Sequence, residues 1–214
     1  YQPGKPLSEL ARELELNEAD IVKLASNENP LGPSPMALEA AQEALHDMAL
    51  YPDGAGFALK AKLSAKLGVV ANQIVLGNGS NDVLDMAARA FLTAGTSSVY
   101  SQHACAVYPI ATQTAGAQGI AVPAKLYGHD LAAMRTAIRP DTRVLWIANP
   151  NNPTGTVLGE DEARRILENF SGHVLLDEAY FEFCGRTSLK LLEQFPRLII
   201  TRTFSKAMGM AGLR

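Results

Sequence analysis

A chain of 214 residues is long enough for one well-buried domain, or a domain with a small appendage. Its net charge of −3 and the lack of any basic run exclude nucleic acid and anionic membranes as implied partners, and no uninterrupted apolar stretch is long enough to cross a bilayer. Two isolated cysteines (Cys105, Cys184), no signal-peptide pattern at Tyr1, and four histidines without ligand spacing (His46, His103, His129, His173) point to a soluble, cytoplasmic protein without disulfides or a metal site.

Residues 1–33 read as an irregular arm, with Pro3, Pro6, Pro30 and Pro33 and a turn cluster over 25–30. The rest, 34–214, reads as one domain. Ser34 as N-cap and Pro35 at the first helical position open a helix over 35–45. After the turn at 51–54, a helical pattern over 57–67 is stopped by Gly68. Short apolar runs then alternate with helical patterns. Strands are predicted at 73–76, 98–100, 119–122, 143–148, 173–176 and 197–201, and helices at 81–91, 106–115, 130–138, 160–170 and 188–194. The alternation predicts an α/β fold with a mainly parallel sheet covered by helices on both faces. Ligands in such sheets bind beyond the carboxyl ends of the strands.

Four strand-end segments therefore carry the chemistry. Gly77-Asn-Gly-Ser-Asn81 is a glycine turn opening a helix, where backbone N–H groups and the helix N-terminus favour an anion; it is equally an ordinary βα turn with Ser80 or Asn81 as cap. Asn149-Pro-Asn-Asn-Pro-Thr-Gly155 holds two Asn-Pro bonds in five residues, a stiff loop open to cis peptides, from which Asn152 can offer its amide to a phenolic oxygen. Asp177 ends an apolar strand with Tyr180 three residues on; the carboxylate can pair with a protonated ring nitrogen, or cap a helix. In Thr203-Phe-Ser-Lys-Ala-Met-Gly-Met-Ala-Gly-Leu-Arg214, an amine nucleophile, a hydroxyl and a cation suit a phosphorylated carbonyl compound: Lys206 condenses with the carbonyl while Ser205 and Arg214 hold the phosphate.

In this order the four segments resemble the fold-type I, pyridoxal phosphate (PLP)-dependent aminotransferases across nearly the whole chain. Within them Tyr1-Gln-Pro-Gly4, Leu24-Ala-Ser-Asn-Glu-Asn-Pro-Leu-Gly32, Tyr51-Pro-Asp-Gly54 and Thr203-Phe-Ser-Lys206 resemble the histidinol-phosphate aminotransferase group. The resemblance implies that Lys206 bonds the cofactor's carbonyl carbon and later moves the substrate proton. It implies further that Asp177 pairs with the pyridinium nitrogen and that Asn152 and Tyr180 bond its phenolic oxygen. Ser80, Asn81, Ser205 and Arg214 would bind its phosphate, Tyr51 would reach the partner subunit's cofactor in a homodimer, and Tyr1, Asn27 and Asn152 would lie near the substrate. The implied substrates are small: an amino donor (histidinol phosphate) and a 2-oxo acid acceptor (2-oxoglutarate). Related readings are a threonine-phosphate decarboxylase, a broad-specificity aminotransferase, or the non-catalytic PLP-sensing domain of a transcription regulator. One departure stands out: Cys105 occupies the position of the family's ring-stacking aromatic, so His103 or Tyr108 compensates or the ring is packed more weakly. The resemblance also implies a C-terminal small domain with a substrate-binding arginine, so we expect a chain truncated at its C-terminal end, unstable or inactive by itself.

Overall fold

A computed structural model describes residues 5–213; Tyr1 and Arg214, both expected at the site, lie outside the described residues. The helices are α1 (Leu7–Leu14), α2 (Pro35–Ala44), α3 (Phe57–Leu67), α4 (Ser80–Phe91), α5 (Val107–Thr114), α6 (Leu131–Thr136), α7 (Glu160–Glu168) and the single turn α8 (Phe181–Cys184). The strands are β1 (Ser97–Ser101), β2 (Gln118–Val122), β3 (Thr142–Ala148), β4 (His173–Asp177) and β5 (Leu198–Thr201). They form one parallel sheet in the order β2-β1-β3-β4-β5.

The apolar runs are continuous because both faces of the sheet are covered. Along β3, Val144, Trp146 and Ala148 pack with Leu84 of α4 and Tyr108 and Ala111 of α5. The alternate residues Leu145 and Ile147 pack with Met134 of α6 and Ala163 and Leu167 of α7. A period of two thus splits one strand between two cores. The chain leaves β1 toward β2 through α5, then doubles back through α6 to β3 on the other side of β1. Adjacent crossovers departing in opposite directions open a crevice at the carboxyl ends of β1 and β3, where open α/β sheets bind ligands.

Local signals in the sequence act as expected at several ends. Ser34 accepts the Ala37 N–H at 3.2 Å with Pro35 opening α2, and Gly68 takes φ 70° to close α3. Four details differ. The predicted strand at 73–76 is a turn of 3-10 helix (Ala71–Gln73) followed by extended chain, because no described segment pairs with it; an apolar run becomes a strand only beside another backbone. Val75 is accordingly exposed. The predicted helix at 188–194 winds as a 3-10 helix, Leu189–Glu193. The arm is not uniformly irregular, since α1 forms directly after Pro6, a residue that interrupts helix interiors and not their first turn. The turn of helix α8, closed by Gly185 at φ 66°, has no counterpart among the predicted elements.

Leu175 is completely buried in the core under α4 and α5. Leu175→Ala should cost about 2–5 kcal/mol through lost transfer and a residual cavity. Urea denaturation would read this as a lower midpoint at unchanged slope; a cost below about 1 kcal/mol would place Leu175 outside the core.

Candidate active site

β4 carries its terminal carboxylate into the crevice. Asp177 is the register partner of Ala148 on β3 and of Thr201 on β5, and it is only 7 % exposed. Tyr108 donates its hydroxyl to Asp177 Oδ2 at 2.8 Å. Thr201 donates to Oδ1 at 3.0 Å, and the Ala179 N–H reaches the same oxygen at 3.2 Å. Burial pushes the Asp177 carboxyl pKa up, while these three donors pull it down. Asp177 is not a helix cap, because the N-cap of α8 is Tyr180.

The loop after β3 divides its three asparagines. Asn149 closes the loop on itself, donating to the Leu158 carbonyl at 3.2 Å and accepting the Leu158 N–H at 2.8 Å. Asn151 donates to the His103 carbonyl and to Thr154 Oγ1, both at 2.7 Å. Both asparagines are buried. Asn152 bonds outside the loop, its Oδ1 facing the Asn27 amide of the arm. Both Asn-Pro peptide bonds, at Pro150 and Pro153, are cis.

The arm closes over this loop. Ser26 and Asn27 take left-handed backbone (φ 68° and 49°), which turns the Ser26 carbonyl and the Asn27 amide toward the sheet. Lys206 donates to the Ser26 carbonyl at 3.0 Å, and its Nζ lies 5.8 Å from the Tyr180 ring centroid. The Asn27 amide donates to the Tyr180 hydroxyl at 3.0 Å and to Asn152 Oδ1 at 3.4 Å. Asn29 donates to the Ala207 carbonyl at 3.0 Å, tying the arm to the lysine loop. At Gly209 (φ 67°) a Cβ would strike the Gly32 carbonyl, so glycine is what lets the arm lie this close. Asn27, Asn29, Tyr180 and Lys206 share the lining of a cavity of about 280 Å³. The Tyr180 hydroxyl pKa is raised by burial and lowered by its bond to Asn27.

Of the expected residues, Asn27 bonds directly to Asn152 and Tyr180, and Lys206 lines the same cavity as Asn27 and Tyr180, tied to the arm through Ser26. At Cys105, burial raises the thiol's pKa and the Val107 N–H lowers it, while Asp177 acts in the raising direction and Lys206 and Asn152 in the lowering one. Ser80 opens α4 after Gly79, and no side chain caps that helix, so neither Ser80 nor Asn81 serves as its cap. Ser205 is buried, with its backbone and hydroxyl both bonded to Thr203 Oγ1. Tyr51 is fully exposed and is not drawn into the cluster. Of the two expected substitutes for the missing aromatic, Tyr108 is committed elsewhere. Tyr108 is completely buried, stacked on Trp146 with centroids 5.3 Å apart, and committed to Asp177. The His103 ring stacks on Tyr127. Sequence reasoning missed Thr201 and Tyr108 as partners of Asp177, and Ser26 as the partner of Lys206. A threonine in register with a strand-end aspartate was the only signal for the first. The other two depend on helix and arm placement.

Several known proteins resemble this chain along its whole length. The profile of the family described as "Aminotransferase class I and II" matches residues 19–214. "Histidinol-phosphate aminotransferase 1" of Thiobacillus denitrificans is 70% identical over 220 residues, covering 100% of this chain and 57% of that protein. "Histidinol-phosphate aminotransferase 2" of Nitrosospira multiformis is 62% identical, covering 100% and 56%. The crystal structure of histidinol-phosphate aminotransferase from Sinorhizobium meliloti in complex with pyridoxal-5'-phosphate superposes with TM-score 0.88 at 28% identity, over 100% of this chain and 59% of that one. The chain thus spans a little under three fifths of the length of these relatives.

Two outcomes follow from the supports. Tyr108→Phe leaves a buried carboxylate oxygen without its donor and should cost about 1–3 kcal/mol in denaturant unfolding at neutral pH. In an Asp177→Asn background the same substitution should cost much less. His129, whose Nε2 lies 2.9 Å from the Ala148 carbonyl, is held below the ordinary histidine pKa by burial, with that carbonyl pulling the other way. Protonation therefore favours the unfolded chain: stability present above about pH 6.5 should fall as pH drops below it. His129→Gln should flatten this decline, leaving the share of His173, whose pKa is lowered by burial and by Arg197. An unchanged slope in His129→Gln would contradict the assignment.

Proposed function

Because the chain belongs to the class I and II aminotransferase family, we propose that it carries the cofactor half of a PLP-dependent histidinol-phosphate aminotransferase, a cytoplasmic homodimer that exchanges the amino group with 2-oxoglutarate. The observation that carries the reading is Asp177: a carboxylate shut away from water and held by two hydroxyls at the end of β4, three residues before Tyr180, which Asn27 joins to Asn152.

The donor set fits the cofactor group by group. An anion at Asp177 suits a cationic ring nitrogen, and the amide of Asn152 and the hydroxyl of Tyr180 suit a phenolic oxygen. The amine of Lys206 suits a carbonyl carbon. The first turn of α4 at Ser80 and Asn81, uncapped by any side chain, and the hydroxyl of Ser205 suit a phosphate, with Arg214 as its cation. When bound, PLP supplies an electron sink for the bond broken at the substrate's Cα. The protein's own part is then proton placement. Asp177 holds a proton on the ring nitrogen, and a charged, hydrogen-bonded pair of this kind favours that state by roughly 2–4 kcal/mol. Lys206 Nζ would take the proton from the substrate's Cα and pass it to the cofactor's carbonyl carbon, on the far side of the nitrogen between them. Asn27, bonded to both Asn152 and Tyr180, holds the arm as a cover against water. Asn27 and Asn152 are the described members of the set expected near the substrate; Tyr1 lies outside the described residues. Exposed apolar side chains on the arm and the helices after it, among them Leu24, Leu31, Met36, Leu50 and Phe57, support a subunit interface that carries Tyr51 to the partner's site.

The test is the visible spectrum of the full-length, PLP-loaded protein before and after histidinol phosphate, with Lys206→Ala as control. Conversion to the pyridoxamine band, reversed by 2-oxoglutarate and absent in the control, is expected. A cofactor band indifferent to histidinol phosphate would sink the substrate assignment. Release of carbon dioxide from a phosphorylated amino acid would point to the decarboxylase, and no band would sink the cofactor assignment.

A further inference from the structure

Asp177 is followed by a second carboxylate that the chemistry above does not use. Glu178 is 1 % exposed, more deeply buried than Asp177 itself. Successive residues of an extended chain point to opposite faces, so the two carboxylates lie back to back. Asp177 faces Tyr108 on the α5 side, and Glu178 faces Thr187 and Ser188 on the other. Glu178 Oε1 accepts the Ser188 N–H at 2.7 Å, and Oε2 accepts the Thr187 hydroxyl at 2.8 Å. Arg202 donates to the same Oε2 through Nη2 at 2.9 Å and Nε at 3.3 Å. Its Nη2 also reaches Thr187 Oγ1 at 2.7 Å, and the guanidinium lies over the Phe181 ring at 3.5 Å.

Arg202 stands directly after Thr201, which donates to Asp177, and four residues before Lys206. The register Asp177↔Thr201 therefore continues one residue outward as Glu178 and Arg202, with the Glu178 N–H bonded to the Thr201 carbonyl at 2.9 Å. One face of the two strand ends carries the functional carboxylate; the other carries a buried ion pair.

We propose that Arg202 is a positioning residue for transamination: by neutralising Glu178 it keeps the proton shared by Asp177 and the cofactor on the ring nitrogen, and by the same bonds it fixes the lysine loop to the end of β4. This rests on the PLP reading above. The physical argument is one of charge placement. An unpaired carboxylate behind Asp177 would be nearer to Asp177 than to the ring, so it would draw the shared proton back onto the Asp177 oxygens. Glu178 already acts in that direction: after burial, which is the largest cause, it is among the influences that raise the Asp177 pKa. Arg202 is placed to cancel it. An anchoring role alone would need only hydrogen bonds between the two loops; a charge role needs the cation wherever the anion is present.

The two are separated by a double-substitution cycle in the full-length protein. Arg202→Met leaves Glu178 charged and unpaired. It should lower kcat by about tenfold or more, the effect of one unit in proton affinity, with KM for histidinol phosphate changed by less than about threefold. It should also weaken PLP binding to the apoenzyme, read by fluorescence titration, and displace the absorption band of the bound cofactor. Glu178→Gln/Arg202→Met removes both charges and should recover kcat, PLP affinity and band position to within about threefold of the parent, even where its Tm stays low. Arg202→Lys, which keeps the charge with fewer bonds, should stay near the parent and serves if Arg202→Met does not fold. A double variant as impaired as Arg202→Met, an Arg202→Lys as impaired, or an Arg202→Met indistinguishable from the parent would each overturn the proposal. If the parent binds PLP yet ignores histidinol phosphate, the substrate reading fails alone, because the affinity and band measurements still test the pair.

Discussion

Asp177 occupies a place where a carboxylate is costly, deep at the end of a central strand between two hydrophobic cores. Its cost is offset by donors from three elements: Tyr108 on α5, Thr201 on β5, and the backbone of Ala179. Each donor constrains its own element in turn. Tyr108 must sit completely buried against Trp146 to reach the carboxylate, which sets α5 against β3. Thr201 must stay in register with Asp177, which sets the point where β5 ends and the lysine loop begins. A single buried charge thus ties together the positions of β3, β4, β5 and α5.

The arm works on a different principle. It has little core of its own, with Ala11 its only buried apolar side chain among the described residues. It is held instead by polar contacts: Asn27 on Asn152 and Tyr180, Asn29 on the Ala207 carbonyl, and the Ser26 carbonyl on Lys206. Two successive left-handed residues without glycine are an unfavourable way to turn a chain, and here they aim a carbonyl and an amide into the crevice. Few apolar contacts and several hydrogen bonds near solvent describe a segment that opens more easily than the sheet beneath it. Lys206 and Tyr180 are therefore covered by a segment held mainly through polar contacts.

The loop after β3 shows how one sequence motif separates into structural and chemical parts. Three asparagines stand within four positions, and the sequence singles out Asn152 without saying what the other two do. Asn149 and Asn151 spend their amides inside the protein, on Leu158, His103 and Thr154, which makes the loop rigid. Asn152 can then be held in the crevice without being drawn into the loop's own hydrogen bonding. The same division recurs at Asp177 and Glu178, where one carboxylate faces the crevice and its neighbour is bound behind the sheet.

Much of this architecture was legible in the chain itself. Hydrophobic periodicity located five strands and most helices, because a strand covered on both faces needs an unbroken apolar run and an amphipathic helix needs a period near 3.6. Ser34 and Gly68 marked helix ends because capping is local chemistry. Lys206, Asp177, Asn152 and Tyr180 stood out because strand-end residues with reactive groups face the crevice in a parallel sheet. Tertiary structure decided the rest. Residues 73–76 are as apolar as a strand but form none, since pairing needs a neighbouring backbone that periodicity does not reveal. Tyr108 belongs beneath Asp177 and not over a ring, a choice made by how α5 packs on β3. Arg202 meets Glu178 across 24 residues, and Ser26 meets Lys206 across 180. Composition and period are carried by neighbours along the chain. Partnerships between distant buried groups exist only once the cores have closed and leaving a polar atom inside them without a donor or an acceptor becomes costly.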